Sequence, residues 1–150
     1  MDITIFIKPT ANKFCIAAFS NQQIIKLIRI IFVETETECI EFLKQYGEAD
    51  ILFDGSIYAQ TGISIREKTD LPVRIFKAKK KNGNIHDRIA AQQEWIAKNM
   101  EYNAEMKENA DYSRFFGLLS DYNPANTNCD PTAADLMADA ARYFRRRKDF

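Results

Sequence analysis

The stretch most suggestive of chemistry is a short apolar run that ends abruptly in an aspartate, Ala-Asp-Ile-Leu-Phe-Asp-Gly at residues 49–55. Apolar runs of this length are typical of buried strands. The carboxyl end of such a strand is where α/β sheets place their functional groups, and Gly55 lets a backbone or a ligand approach closely. We therefore expect Asp54 to lie in any active centre that this chain has. The simpler alternative is that Asp54 caps the helix that follows it.

The elements that must position Asp54 follow from the alternation of apolar residues and from turn residues. Strands are predicted at residues 3–8, 13–19, 23–32, 50–53 and 71–77. The first three are separated by short polar turns and are expected to pair antiparallel. Thr35 and Glu38 form a capping box that opens a helix ending near Gly47. A second helix at residues 58–68 completes a β-α-β-α-β order, which calls for parallel strands with right-handed crossovers.

The second half of the chain is predicted to be mainly helical. Helices are expected at residues 85–98, 110–120 and 133–147, with a brief extended segment at residues 100–102. The last helix begins after Asp130-Pro131, an aspartate cap followed by a proline at the first helical position.

Composition indicates a single domain over residues 1–150, because 46% of the residues are hydrophobic and eleven are Phe, enough for one core. No apolar run approaches the roughly 20 residues of a membrane span, and no signal peptide begins the chain, so we expect a cytoplasmic protein without a membrane role. Three widely spaced cysteines without a metal-binding pattern are interpreted as buried reduced thiols.

Charge is unevenly distributed although the formal net charge is zero. Residues 1–70 carry seven Lys or Arg against ten Asp or Glu, whereas residues 71–150 carry fourteen against eleven. The basic excess lies at residues 74–81 and 142–148. Such runs are usually solvated faces, but two of them beside a carboxylate site also suit a polyanion.

The order of elements is that of an RNase H-like nuclease, with a central mixed sheet of three antiparallel amino-terminal strands plus parallel strands, flanked by helices. Nucleases of this kind bring carboxylates from several strand and helix ends together. The carboxylates hold two divalent cations about 4 Å apart, which clamp the attacking and leaving oxygens of a phosphodiester.

Several motifs in the second half resemble the carboxyl-terminal nuclease domain of the large terminase subunit of tailed bacteriophages. They are Asp-Arg-Ile-Ala-Ala-Gln at 87–92, Trp-Ile-Ala-Lys-Asn at 95–99, Asp-Tyr-Ser-Arg-Phe at 111–115, Ser-Asp-Tyr at 120–122 and Asn-Cys-Asp at 128–130, followed by an Ala-rich helix. The resemblance covers essentially the whole chain and is most specific over residues 85–145. It implies metal-dependent cleavage of concatemeric viral DNA during genome packaging.

By that resemblance, Asp54 corresponds to the family's second catalytic carboxylate and Asp130 to the third, with Asp135 as the alternative for the third. Asp54 and Asp130 would hold Mg²⁺ or Mn²⁺. Double-stranded DNA is the implied substrate, and an ATPase motor domain, the small terminase and the portal protein are the implied partners. The chain itself has no phosphate-binding loop of the ATPase type.

This chain departs from the family pattern at the end of the first strand, where the family has its first metal-binding aspartate and this sequence has Lys8-Pro9-Thr10. A lysine ammonium cannot ligate a metal, but it could occupy the cation's place and neutralise Asp54 and Asp130. The alternative to a nuclease is therefore a catalytically silent domain of the same fold that binds DNA or other packaging proteins.

The candidate DNA contacts are Lys79, Lys80, Lys81 and Arg88, which would hold phosphates without reading sequence. The three lysines could equally be a solvated loop. His86, the only histidine, is interpreted as a surface or first-turn residue rather than a general base.

Overall fold

A computed structural model describes residues 2–77, 84–103, 105, 109–126 and 128–146. The strands are β1 (Ile3–Pro9), β2 (Phe14–Asn21), β3 (Ile25–Val33), β4 (Asp50–Asp54), β5 (Val73–Phe76) and β6 (Met100–Tyr102). The helices are α1 (Glu36–Leu43), α2 (Ala59–Thr69), α3 (Ile85–Ala90), α4 (Gln93–Asn99), α5 (Ala110–Asp121) and α6 (Thr132–Arg145). None of the described helices is long and apolar enough to cross a membrane.

All six strands belong to one mixed sheet in the order β5-β4-β1-β2-β3-β6. Strand β2 is antiparallel to β1 and β3, whereas β4 is parallel to β1, β5 to β4, and β6 to β3. The predicted fold class is confirmed: the sheet combines three antiparallel amino-terminal strands with parallel ones in the RNase H-like arrangement. The short segment at residues 100–102 adds the strand beside β3.

The two faces of the sheet are covered by different helices because side chains alternate along each strand. Ile5, Ile7, Ile51 and Phe53 face the core that contains α1 and α2 residues. Phe6 and Leu52 face the opposite core, which is built mainly on α5 and α6. Lys8 and Asp54 share the second face, since each lies two residues beyond one of these apolar residues.

Local signals placed most helix starts correctly. Thr35 Oγ1 accepts a hydrogen bond from the Glu38 N–H at 3.1 Å, which confirms the capping residue of α1. One predicted helix is divided, however, because residues 85–98 form α3 and α4 with a turn at Ala91 and Gln92. The Gln92 N–H bonds to the Ile89 carbonyl only three residues back, which tightens and ends the first helix.

Candidate functional site

The ends of β1 and β4 bring Lys8 and Asp54 together. The parallel register places Ile7 opposite Phe53, so the next residues lie side by side and point to the face covered by α6. Both residues are buried, with 9% of Lys8 and 7% of Asp54 exposed. The alternative role of Asp54 as a helix cap is wrong, because Tyr58 is the N-cap of α2. Asp54 Oδ1 instead accepts a hydrogen bond from the Ser56 N–H at 2.9 Å.

Helix α6 supplies the other two acids of the site. Asp135 and Asp139 are four residues apart and therefore lie on one face of the helix, and each is only 5% exposed. Every residue from Ala133 to Ala141 is buried, and five of these nine are alanines. The small side chains let the helix backbone approach the sheet closely enough for two short aspartates to reach the end of β1.

The Lys8 ammonium lies among the three carboxylates and donates to all of them. Its Nζ bonds to Asp54 Oδ2, to Asp135 Oδ2 and, at 3.0 Å, to Asp139 Oδ2. We call Asp54, Asp135 and Asp139 the aspartate cluster; one carboxylate oxygen from each lies within 4.8 Å of the others. Lys8 thus takes the central position that the sequence suggested, although its partners on α6 are Asp135 and Asp139 rather than Asp130.

Burial and charge set the protonation of this cluster. Burial alone favours the neutral amine of Lys8, but attraction to the three carboxylates outweighs it and raises the pKa of Lys8 above its ordinary range. Burial opposes ionisation of Asp54 as well, yet the Lys8 charge and hydrogen bonds from Lys8 and Ser56 lower its pKa below 3.8. At Asp139 burial prevails, aided by its acidic neighbours, and raises the pKa to about 7.

A second cation approaches the cluster from α3. Arg88 Nη2 lies 3.7 Å from Asp135 Oδ1, and that oxygen is buried without a hydrogen-bond partner among the described residues. Three carboxylates therefore face two cationic side chains. Each carboxylate adds to the field that holds Lys8 protonated, while Arg88 partly balances the remaining negative charge.

The donor types of the cluster suit a divalent cation, because three convergent carboxylate oxygens are the ligands that Mg²⁺ and Mn²⁺ prefer. The arrangement of these groups does not suit a divalent cation, because the Lys8 ammonium contacts all three carboxylates. The ammonium lies where a shared cation would lie. The residues as they stand therefore do not fit a bound metal, and a metal would require Lys8 to leave.

Asp130, the first choice for the third carboxylate, lies outside the aspartate cluster. Its carboxylate is exposed and accepts hydrogen bonds from the Thr132 N–H at 2.9 Å and the Thr132 hydroxyl at 2.6 Å. Pro131, one residue later than predicted, is the N-cap of α6. The geometry favours Asp135, the second choice, and adds Asp139. The sequence signal for Asp139 was its spacing of four from Asp135 within an otherwise apolar, Ala-rich helix.

The predicted DNA contacts are only partly described. Lys79, Lys80 and Lys81 lie outside the described residues. Arg88 is half-buried on α3 and lines a cleft of about 290 Å³ between α3 and the carboxyl end of α6. We call this the arginine cleft. Arg142, Arg145 and Arg146 also line it, as does Asp139, so the arginine cleft and the aspartate cluster adjoin.

The remaining candidates have structural partners. His86 Nδ1 lies 2.6 Å from the Tyr122 hydroxyl, and the two rings stack with centroids 5.7 Å apart, in keeping with a half-buried first-turn residue. Cys15 and Cys39 are buried, and burial raises the pKa of each thiol to about 12. Cys129 differs from the expectation because it is half-exposed; its Sγ donates to the Asn123 carbonyl.

Comparisons with known proteins add little to this geometry. No family model matches the sequence, and no curated protein matches it. Solved structures of similar shape include Thermus thermophilus RuvC in complex with a Holliday junction substrate, with a TM-score of 0.46, and a second Thermus thermophilus RuvC structure, with a TM-score of 0.45. Each is 10% identical to this chain, and each alignment covers 97% of this chain and 96% of the other. The order and directions of the strands define the fold.

Proposed function

We propose that this chain is a DNA-binding domain of the RNase H-like type in which the Lys8 ammonium replaces the catalytic cation, so that the wild-type protein does not cleave DNA. The observation that carries the proposal is the contact of one ammonium with all three members of the aspartate cluster. The terminase resemblance suggests the setting: double-stranded DNA, with a packaging ATPase motor, a small terminase and a portal protein as partners.

Electrostatics support the loss of hydrolysis. Two-metal hydrolysis places two divalent cations about 4 Å apart among the carboxylates, whereas a single ammonium supplies one positive charge and no open coordination position. Without a metal, attraction to the neighbouring carboxylates outweighs burial and raises the pKa of Lys8, so its side chain remains a charged ammonium within the cluster. Its stem continues into β1, which is paired on both sides, so the ammonium cannot be displaced far by strand movement.

DNA binding is supported by the arginine cleft beside the cluster. Guanidinium groups bind phosphate oxygens bidentately and remain charged at any physiological pH. Lys8 also matters here, because it offsets aspartate charge that would repel a phosphate. The cytoplasm of a host cell is the compartment that this role implies.

A second candidate function is an active metal-dependent endonuclease. It is favoured by the donor set of the aspartate cluster, whose three oxygens lie within 4.8 Å of one another. It requires the Lys8 side chain to leave the cluster when metal and DNA bind.

Plasmid cleavage with Mg²⁺ and with Mn²⁺ separates the two candidates. We expect wild-type protein to leave supercoiled plasmid intact in both metals, and Lys8→Asp, which restores a fourth carboxylate, to cleave it in Mn²⁺. The Lys8→Asp/Asp54→Ala double variant is the control and should cleave nothing. Cleavage by the wild type that Asp54→Ala abolishes would establish the endonuclease instead.

Duplex binding tests the remaining part of the proposal. Fluorescence anisotropy with a labelled duplex should give an affinity that falls steeply with salt, because phosphate contacts release counterions. Arg88→Gln should weaken binding, whereas Arg66→Gln should not, since Arg66 lies on α2 over the opposite face of the sheet. Absence of duplex binding by the wild type at low salt would refute a role in binding double-stranded DNA.

A further inference from the structure

The arginine cleft concentrates positive charge in a concave site rather than on a flat surface. Four arginines line it against one carboxylate, that of Asp139. The arginines come from two separate elements, Arg88 from α3 and the other three from the end of α6 and the residue after it. The remaining lining consists of Gln92, Ala91 and Ala138. The small alanine side chains leave space within the cleft.

Two of the guanidinium groups are held by neighbouring side chains. Arg145 Nη1 donates to Gln92 Oε1 at 2.7 Å, and its guanidinium lies 5.9 Å from the centre of the Trp95 ring. Arg88 is oriented by Asp135 at 3.7 Å. Arginines that are already oriented lose less side-chain entropy when they bind an anion, so the arrangement favours binding over simple solvation.

Size and charge indicate which anion fits. A volume of about 290 Å³ is at the lower end of small-molecule pockets, enough for a phosphate and part of its sugar. A phosphate monoester carries roughly −1.5 to −2 charges and three acceptor oxygens, whereas each internal phosphodiester carries a single charge. Because Arg88 is paired with Asp135, the other three arginines against Asp139 leave an excess of two positive charges in the lining. That excess matches the monoester better.

The position of the cleft adds a reason why a doubly charged group could bind there. Asp139 lines the cleft and also contacts Lys8. With Lys8 in the aspartate cluster, the negative field that would repel a phosphate is reduced.

We propose that the arginine cleft binds the terminal phosphate monoester of a nucleic acid strand. This proposal rests on the proposed DNA-binding function and specifies which part of the strand the site holds. The end of a strand enters a concave cleft, whereas an internal phosphate of a duplex has polymer on both sides and contacts more open surfaces.

Fluorescence anisotropy with short single-stranded oligonucleotides tests the proposal directly. Three oligonucleotides of one sequence carry an internal label and a 5′-phosphate, a 3′-phosphate or two hydroxyl ends. We expect wild-type protein to bind at least one phosphorylated form about tenfold more tightly than the hydroxyl form, the value of one charge-assisted hydrogen-bond pair. The Arg142→Gln variant should bring that ratio close to one.

Two further variants guard against a folding defect. Arg146 is exposed and follows the last turn of α6, so Arg146→Gln should fold normally and still reduce the ratio. Arg66→Gln changes the same charge on the other side of the sheet and should leave it unchanged.

The outcomes that would refute terminal phosphate binding can be distinguished from those that would refute DNA binding as a whole. Equal wild-type affinity for all three oligonucleotides would refute terminal phosphate binding while leaving DNA binding intact. Displacement of a phosphorylated oligonucleotide by an equal concentration of inorganic phosphate would refute a strand-end site and indicate a small-anion site. If the wild type binds neither these oligonucleotides nor the duplex, both proposals are refuted.

Discussion

Replacing Lys8 by methionine removes the charge of the buried ammonium while keeping most of its volume, so it isolates the electrostatic role of Lys8. Three carboxylates would then be left buried without their shared cation. We expect this substitution to be strongly destabilising at neutral pH.

The magnitude follows from the contacts. When Asp139 is ionised, the 3.0 Å separation of Lys8 Nζ from Asp139 Oδ2 corresponds to about 5–6 kcal/mol of attraction at an effective dielectric constant of about 20. At pH 7 roughly half of this attraction applies, because the pKa of Asp139 is about 7. The cost of burying the ammonium offsets part of this, and loss of one partner from a buried ion pair typically costs about 3–5 kcal/mol. This loss is a large share of a total stability of about 5–15 kcal/mol. The melting temperature of a chain of this size should then fall by roughly 6–20 °C.

Thermal and urea unfolding at pH 7 measure the effect. Lys98→Met is the matched control, because Lys98 forms an exposed ion pair with Glu94 at 2.8 Å and should contribute no more than about 0.5 kcal/mol. If Lys8→Met is no less stable than Lys98→Met, the ammonium does not balance the aspartate cluster and the reasoning is wrong.

A smaller substitution tests whether Lys8 holds the place of a cation. In Lys8→Ala the centre of the cluster is vacated, so Mn²⁺ should stabilise that variant by about 2.7 kcal/mol at a concentration of about 100 times its Kd. The wild type should gain nothing. Equal stabilisation of both proteins by Mn²⁺ would show that Lys8 and the metal do not compete.

Three further perturbations test the aspartate cluster, the packing of α2 against the sheet and the cap of α1. Because burial and its acidic neighbours raise the pKa of Asp139 from 3.8 to about 7 against the opposing Lys8 charge, the folded state binds more protons than the unfolded chain between these values. The free energy of unfolding should therefore fall as pH rises from about 4 to about 7, and Asp139→Asn should flatten this dependence in urea titrations. Gly62→Ala should lower the melting temperature by overpacking worth about 1–3 kcal/mol, since the added Cβ would lie 2.6 Å from Phe53 Cδ1. Its matched control, Gly117→Ala, meets nothing within 4 Å and should stabilise α5 by about 0.5–1 kcal/mol. Thr35→Ala removes the hydrogen bond that caps α1 and should cost about 1 kcal/mol; a gain in stability would contradict that capping role.

Local sequence patterns were sufficient to predict the sheet and the part of the candidate site that lies on it, Lys8 and Asp54. Alternation along β1 and β4 places Lys8 and Asp54 on the face that also holds Phe6 and Leu52. The spacing of apolar residues and the turn residues between strands also predicted the antiparallel start and the parallel continuation. The alternation and the hairpin turns depend on residues near one another in the chain. The parallel pairing of β4 with β1 follows from the helix between the strands, so these features can be predicted from the sequence.

The choice among the acids of the last helix needed the tertiary structure. Three acids lie in or near this helix: Asp130 just before α6, and Asp135 and Asp139 within it. The sequence does not determine how this helix is rotated about its axis relative to the sheet. The burial of Ala133, Ala140 and Ala141 against the sheet sets that rotation and turns Asp135 and Asp139 toward Lys8. Asp130 precedes the helix, and its carboxylate bonds to the first turn instead.

The sequence alone thus determined that a lysine lies near the end of the first strand, where the terminase resemblance predicts a metal-binding acid, and that an aspartate ends β4. Only the tertiary structure decided which carboxylates the lysine neutralises and that arginines from α3 and α6 line an adjoining cleft. The physical reason is that hairpin turns and side-chain alternation depend on residues close together in the sequence, whereas the orientation of a packed helix depends on the whole core beneath it.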